Sequence, residues 1–194
     1  MVKIAVILSS VRPGRLNDRV AKVVINEIKN LGHEPLVIDP IKPEFNLPLL
    51  QVPLHFQDPS KAPAQLVSIS KILESADAFV VVSAEYNHTI PPALTNLMSH
   101  FAPVYKFKPS GICTYSMGPF GGVRAAMALR PFLAELGCIS IPKLFALPTA
   151  QKSIKEDGTV ELPVVTTGAQ EFIKELVWYA QAMKTQRGLG LPNQ

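Results

Sequence analysis

Apolar runs alternating with stretches of helical period constrain the fold of this 194-residue chain more than any other feature. The run Ala78-Phe79-Val80-Val81-Val82 is apolar at every position. Neither alternating face of such a strand suits water, so it belongs in a sheet covered on both sides. Strand followed by amphipathic helix, repeated, is the order of a parallel sheet between two helical layers. The pattern predicts five strands, at residues 3–8, 34–39, 78–83, 111–116 and 140–147. Helices are expected at 17–31, 64–74, 92–101 and 122–136. A last helix is signalled by Thr167 and Gln170, spaced for a capping box, and by an apolar stripe of Phe172, Ile173, Leu176, Val177, Ala180 and Met183. Ahead of it, Asp157-Gly158 predicts a turn in a small excursion.

At 21.1 kDa the chain has the size of one domain with a full three-layer core. That domain is expected to occupy residues 1–187, with a loose tail at 188–194. No stretch approaches the roughly 20 apolar residues of a membrane span, and the apolar start is too short for a signal peptide. A cytoplasmic location without a membrane partner is therefore expected. Cys113 and Cys138 make no Cys-x-x-Cys unit and read as buried, reduced thiols. His33, His55 and His100 show no metal-ligand spacing, and no metal is expected. The net charge of +4 is dispersed, which fits a solvated surface better than nucleic acid. A pI near 9.1 still suits attraction of anionic ligands such as nucleotides.

One connection breaks the rhythm. Between Pro40 and Pro63 there are six prolines, apolar Phe45, Leu47, Leu49 and Leu50, and no helical period. Loops this long inside a domain either serve a function, here a lid or a subunit contact, or pack as surface covering.

Three expected strand ends carry chemistry, at the edge where open parallel sheets bind ligands. The first strand runs into Ser9-Ser10-Val11-Arg12-Pro13-Gly14-Arg15-Leu16-Asn17. Hydroxyls, guanidiniums and free N–H groups at a helix start form a phosphate-binding composition. The plainer alternative is a helix cap by Asn17 beside two surface arginines. No Walker sequence and no Gly-x-Gly-x-x-Gly follows this strand, which disfavours a nucleoside triphosphatase or a Rossmann site. The third expected strand ends in Ser83-Ala84-Glu85-Tyr86-Asn87-His88-Thr89-Ile90 before Pro91-Pro92. Turn chemistry alone does not require an aromatic, an amide, an imidazole and a hydroxyll so close together. The fourth ends in Ser116-Met117-Gly118-Pro119-Phe120-Gly121-Gly122-Val123-Arg124, whose glycines permit close approach of a planar ligand or simply a tight turn.

Together these loops resemble those of the flavodoxin-like NADPH-dependent FMN reductases, a family that includes quinone and azo-dye reductases. Ser10-Val11-Arg12 and Asn17 resemble the family's phosphate loop, Glu85-Tyr86-Asn87-His88-Thr89-Ile90-Pro91 its flavin-ring loop, and Ser116, Gly118, Gly121, Gly122 and Arg124 its third loop. Ser9 stands where glycine is common, Arg15 where serine is common, and Ala84 where proline often precedes the glutamate. The resemblance implies an α/β three-layer sandwich with a five-stranded parallel sheet in order 2-1-3-4-5 and helices on both faces. It also implies bound FMN, NAD(P)H as co-substrate, a quinone, free flavin or similar small-molecule acceptor, and a homodimer or homotetramer. By the same resemblance Ser10, Arg12, Arg15 and Asn17 hold the phosphate, and Glu85, Tyr86 and Asn87 line the ring, partly through backbone groups. Ser116, Gly118, Gly121 and Gly122 complete the pocket.

No side chain is required as acid or base, because the flavin carries the chemistry. Glu85, the loop's one carboxylate, reads as a helix-dipole or interface contact. Tyr86 reads equally as a flavin or subunit contact and as a half-buried aromatic, and His88 as a loop histidine satisfied by backbone ahead of a donor to an acceptor molecule. The rival functions are a flavodoxin-like electron carrier, which by resemblance is typically acidic where this chain is basic, and an FMN-responsive interaction protein.

Overall fold

The computed structural model describes residues 1–192. Strands β1 (Lys3–Leu8), β2 (Glu34–Ile38), β3 (Ala78–Ala84), β4 (Lys108–Tyr115) and β5 (Cys138–Leu147) form one sheet in the order β2-β1-β3-β4-β5, with every neighbouring pair parallel. Helices α1 (Asn17–Asn30) and α6 (Pro163–Leu189) cover one face. The other is covered by α2 (Ala64–Ser75), α3 (Pro92–Ser99) and α4 (Val123–Glu135), and a one-turn helix α5 (Ala150–Ser153) follows β5.

Alternation along the strands builds two cores. Ile4, Val6 and Leu8 of β1, with Ala78, Val80 and Val82 of β3, pack under α1 and α6. Ala5, Ile7, Phe79 and Val81 pack under α2, α3 and α4. A period of two thus divides one apolar run between two buried faces, which is why residues 78–82 carry no polar side chain. On β4, Gly111 serves the α6 side: a Cβ there would lie 2.6 Å from the Phe172 ring, so only glycine admits the helix at this distance.

Several boundaries differ from the sequence pattern. β4 begins at Lys108, three residues before the expected start, and pairs there with Cys138 at the start of β5. The charge hid this strand start: Lys108 is buried, and its Nζ donates to the carbonyls of Leu73 and Glu74 at the end of α2. α6 begins at Pro163, so Thr167 and Gln170 lie inside the helix and form no capping box at its start. Proline suits the first helical position because its φ is preset and the N–H it lacks would have no partner there. Val165 and Ala169 extend the buried stripe backward by two turns. α6 also runs through Gly188 and Leu189 of the segment expected to be loose, and Asn193 and Gln194 of that segment lie outside the described residues. The expected excursion is present as a turn closed by Lys155 N–H to the Thr159 carbonyl.

Residues 40–63 hold two single 3-10 turns, Pro43–Phe45 and Leu54–Phe56, and lie along α3. Asn96 receives the Leu50 N–H at 2.8 Å and donates to the Pro48 carbonyl at 3.0 Å, while Leu54 N–H reaches the His100 carbonyl. Phe45 is buried, and Leu49 and Phe56 are exposed. Among the described residues no helix is long and apolar enough to cross a membrane.

The chain leaves β1 toward β2 on one side and returns to place β3 on the other. Two adjacent strand ends therefore send their loops in opposite directions, and a crevice opens between them.

Candidate functional site

The crevice is a cleft of about 440 Å³ at the carboxyl ends of β1, β3 and β4, within the size range of small-molecule sites. All three loops singled out in the sequence meet there. Ser10, Arg12 and Arg15 of the first, Glu85 and Tyr86 of the second, and Ser116 and Gly118 of the third line it. Asn17, Asn87, Gly121 and Gly122 lie outside this lining. Tyr115 and Met117 line it too, although the sequence did not single them out; their signal was position beside Ser116 at a strand end.

In the first loop the two arginines differ sharply. Arg15 donates through Nη1 and Nη2 to the two carboxylate oxygens of Asp39, at 2.7 and 2.6 Å, through Nε and Nη2 to Asp18, and through Nη1 to the Ser10 carbonyl. That satisfies all five of its N–H donors, so in this arrangement none remains for a phosphate. The Asp39 hydrogen bond raises its pKa further above the usual arginine value. Arg12 makes no side-chain hydrogen bond among the described residues. Its guanidinium lies 3.7 Å from the centroid of the Tyr86 ring, a cation–π contact at the mouth of the cleft. The N–H groups of Val11, Gly14, Arg15 and Leu16 also lack an acceptor among the described residues.

Asn17 does not cap α1: it is the first helical residue and is fully buried. Its Oδ1 accepts from the Tyr115 hydroxyl at 2.7 Å and from Ser9 at 3.2 Å, while its Nδ2 is buried without a partner. Burial pushes the Tyr115 pKa up, which keeps that hydroxyl protonated as a donor. An orphaned amide donor is costly, about 1–3 kcal/mol.

In the second loop Tyr86 and Thr89 exchange backbone hydrogen bonds at 3.1 and 2.9 Å around Asn87 and His88, whose φ values are 51° and 61°. Two positive φ values in the central positions define a type I′ turn, which asparagine tolerates best among non-glycine residues. Both residues are exposed at the turn tip. Tyr86 is half-buried, and its hydroxyl pairs with Ser10 Oγ across the cleft. The Glu85 carboxylate accepts the N–H groups of Arg124 at 2.9 Å and Ala125 at 3.2 Å, so it anchors the start of α4.

The glycines of the third loop divide by role. Gly121 and Gly122 have φ of 62° and 79°, and an added Cβ would meet backbone of residues 147–148 or β4 at 3.0–3.2 Å. They serve the turn against the sheet. Around Gly118 a Cβ would meet nothing within 4 Å, so space is left beside its backbone on the cleft wall.

FMN needs an anion cradle at one end and a flat slot with hydrogen-bond donors at the other. The residues present fit it: the unpartnered Asn17 amide, the uncommitted Arg12 guanidinium and free loop N–H groups at one end, and open backbone at Gly118 at the other.

Comparison with known proteins agrees. The family described as NADPH-dependent FMN reductase matches residues 2–152. The chain is 28% identical over 151 residues to a quinone reductase of Escherichia coli, covering 73% of this chain and 74% of that protein. It is 28% identical over 147 residues to an NAD(P)H-dependent FMN reductase of Saccharomyces cerevisiae, covering 70% and 75%. Among solved structures, the Paracoccus denitrificans flavoenzyme FerB, an NAD(P)H:(acceptor) oxidoreductase, shares the fold with a TM-score of 0.79 at 21% identity, over 94% of this chain and 99% of that one. The family's match over residues 2–152, most of the chain's length, leads to one conclusion: the chain belongs to the NADPH-dependent FMN reductase family.

Proposed function

We propose that the cleft holds FMN with its phosphate in the first loop and its ring between the second and third, and that a quinone, free flavin or similar small molecule is the final acceptor. NAD(P)H oxidation through FMN follows from family membership; the contacts and the acceptor are the proposal. The observation that carries it is the gathering of unpaired donors, the Arg12 guanidinium and the N–H groups of Gly14 and Gly118 among them, at one strand-end cleft, with the orphaned Asn17 Nδ2 buried behind its first loop.

Bound FMN would supply the chemistry, hydride acceptance from the nicotinamide and two-electron reduction of the acceptor. The chain's residues bind and orient. Ser10, Arg12, Asn17 and the loop N–H groups hold the phosphate, and Arg15, gripped by Asp39 and Asp18, fixes the loop's shape. Glu85 and Asn87 face the ring through backbone, Tyr86 through its side chain, and Ser116 and Gly118 from the opposite wall. Gly121 and Gly122 allow that wall its course. We further place the protein in the cytoplasm as a homodimer or homotetramer, consistent with the exposed Leu49, Phe56, Met117 and Phe120.

An absorbance spectrum of the purified protein, with identification of the released pigment, tests the reading. A colourless protein unable to take up FMN would sink it, and one that binds FMN without steady NAD(P)H oxidation in the presence of quinone would be a carrier. Arg12→Ala should weaken FMN by about 1.5–3 kcal/mol, at least tenfold, while riboflavin, which lacks the phosphate, binds unchanged. Sedimentation of the same preparation at micromolar protein tests the assembly, which a monomer would exclude.

A further inference from the structure

We infer that Gln151, in the turn that follows β5, is a positioning residue for the cleft wall that stabilises negative charge on the flavin ring. This inference rests on the cleft being the FMN site. Three successive carbonyls of the third loop are held from behind by that turn. Ala150 N–H reaches the Ser116 carbonyl at 3.0 Å, Gln151 Nε2 reaches the Met117 carbonyl at 3.1 Å, and Thr149 N–H reaches the Gly118 carbonyl at 3.0 Å.

Every peptide here is trans. In a planar trans peptide the N–H points opposite to the carbonyl of the same unit. With the Ser116 and Met117 carbonyls turned toward residues 149–151, the N–H groups of Met117 and Gly118 point the other way. Neither N–H has an acceptor among the described residues, and both residues line the cleft. Gln151 and the residues that follow it line a second cavity, with Arg19, that shares no residue with the cleft. The third loop is thus a thin wall with its acceptors bound behind and two donors presented in front.

Backbone strain in the turn fits the same role. Thr149 adopts φ 45°, ψ 45°, a left-handed conformation costly for a β-branched residue. It is held there by the Lys152 and Ser153 N–H groups bonding its carbonyl and by its own N–H on Gly118. Such strain persists only where surrounding structure fixes it, and it clusters at functional sites. Of the three bonds, the Gln151 bond is the one made by a side chain, so it alone is removable without altering the backbone.

Donors fixed before charge develops stabilise it more than donors that must reorient. Loosening the wall should therefore weaken the two-electron-reduced ring more than the oxidised one. The test uses the FMN-loaded full chain and measures FMN affinity and midpoint potential. Gln151→Leu should bind oxidised FMN within about threefold of the unmodified protein, yet shift the potential down by about 30 mV, a tenfold loss for the reduced form. Gln151→Glu, which sets a carboxylate against the Met117 carbonyl, should shift it further. Lys152→Ala, a neighbour without a bond to the third loop, should leave it unchanged. Unaltered potentials in both Gln151 variants overturn the inference while the FMN reading stands. Failure of the unmodified protein to bind FMN overturns both.

Discussion

At the amino ends of the strands, Asp77 accepts the Lys3 N–H at 3.0 Å, Lys184 Nζ at 2.8 Å and Arg187 Nη2 at 3.3 Å, and Lys108 Nζ is bound to two helix-end carbonyls. At the carboxyl ends, Arg12, Asn17 Nδ2 and the N–H groups of Met117 and Gly118 find no acceptor among the described residues. Both edges are rich in polar groups, so polarity does not separate them; pairing does. Closed pairing leaves nothing to offer a ligand. Unpaired donors in a concave site are tolerable when a ligand completes them. Arg15 crosses the boundary: it sits at the open edge but is paired like a group of the closed one.

Arg15 therefore gives the largest expected effect. Its side chain and that of Asp39 are 6% and 7% exposed. Arg15→Ala should lose about 3–5 kcal/mol of stability, because Asp39 would be left as a buried charge without its partner. The double variant Arg15→Met with Asp39→Leu should recover most of that loss in urea denaturation. If instead Arg15→Ala keeps its stability and loses FMN, Arg15 is a phosphate ligand and the comparison between the edges breaks.

The sequence could place Arg15 in the right loop and still not disclose its partner. Asp39 lies 24 residues away at the end of another strand, and only the sheet order brings the two together. The strands show the other extreme. β1 matched its apolar run residue for residue, because burial on both faces leaves a local mark. Long-range pairing leaves none, which is why the post-β5 turn behind Met117 was also illegible. Charge misled at Lys108, whose aliphatic stem and capped ammonium fit a strand start that the pattern could not admit.

Lys108 sharpens the comparison from the closed side. Burial, with the nearby Arg187 charge, lowers its pKa to about 8, although Asp77 and Glu74 oppose the shift. Between about 8 and the 10.5 of an ordinary lysine, the unfolded chain holds a proton that the folded chain has released. Stability should then rise with pH through that window, by about 1 kcal/mol from roughly pH 7 to pH 9, and the burial penalty is complete below it. Urea midpoints across this range should show the rise in the unmodified protein and lose it in Lys108→Met. An equal rise in both would mean that the paired amino edge does not strain its lysine.

Glu85 gives the smallest effect and the finest discrimination, because it is a carboxylate at the open edge. Its two short contacts run to Arg124 and Ala125 N–H groups at the start of α4, where a negative charge meets the positive end of the helix dipole. The Arg124 guanidinium at 3.5 Å is 41% exposed and adds little. Glu85→Gln keeps an acceptor oxygen and loses the charge, so it should cost about 0.3–1 kcal/mol in urea denaturation. NAD(P)H oxidation with quinone should continue at an unchanged rate, since the carboxylate is committed to the N–H groups at the start of α4. General acid–base catalysis typically contributes at least about a hundredfold. A loss of that size with stability intact would transfer Glu85 from the paired groups to the reacting ones, and the open edge would then hold chemistry of its own beyond that of the flavin.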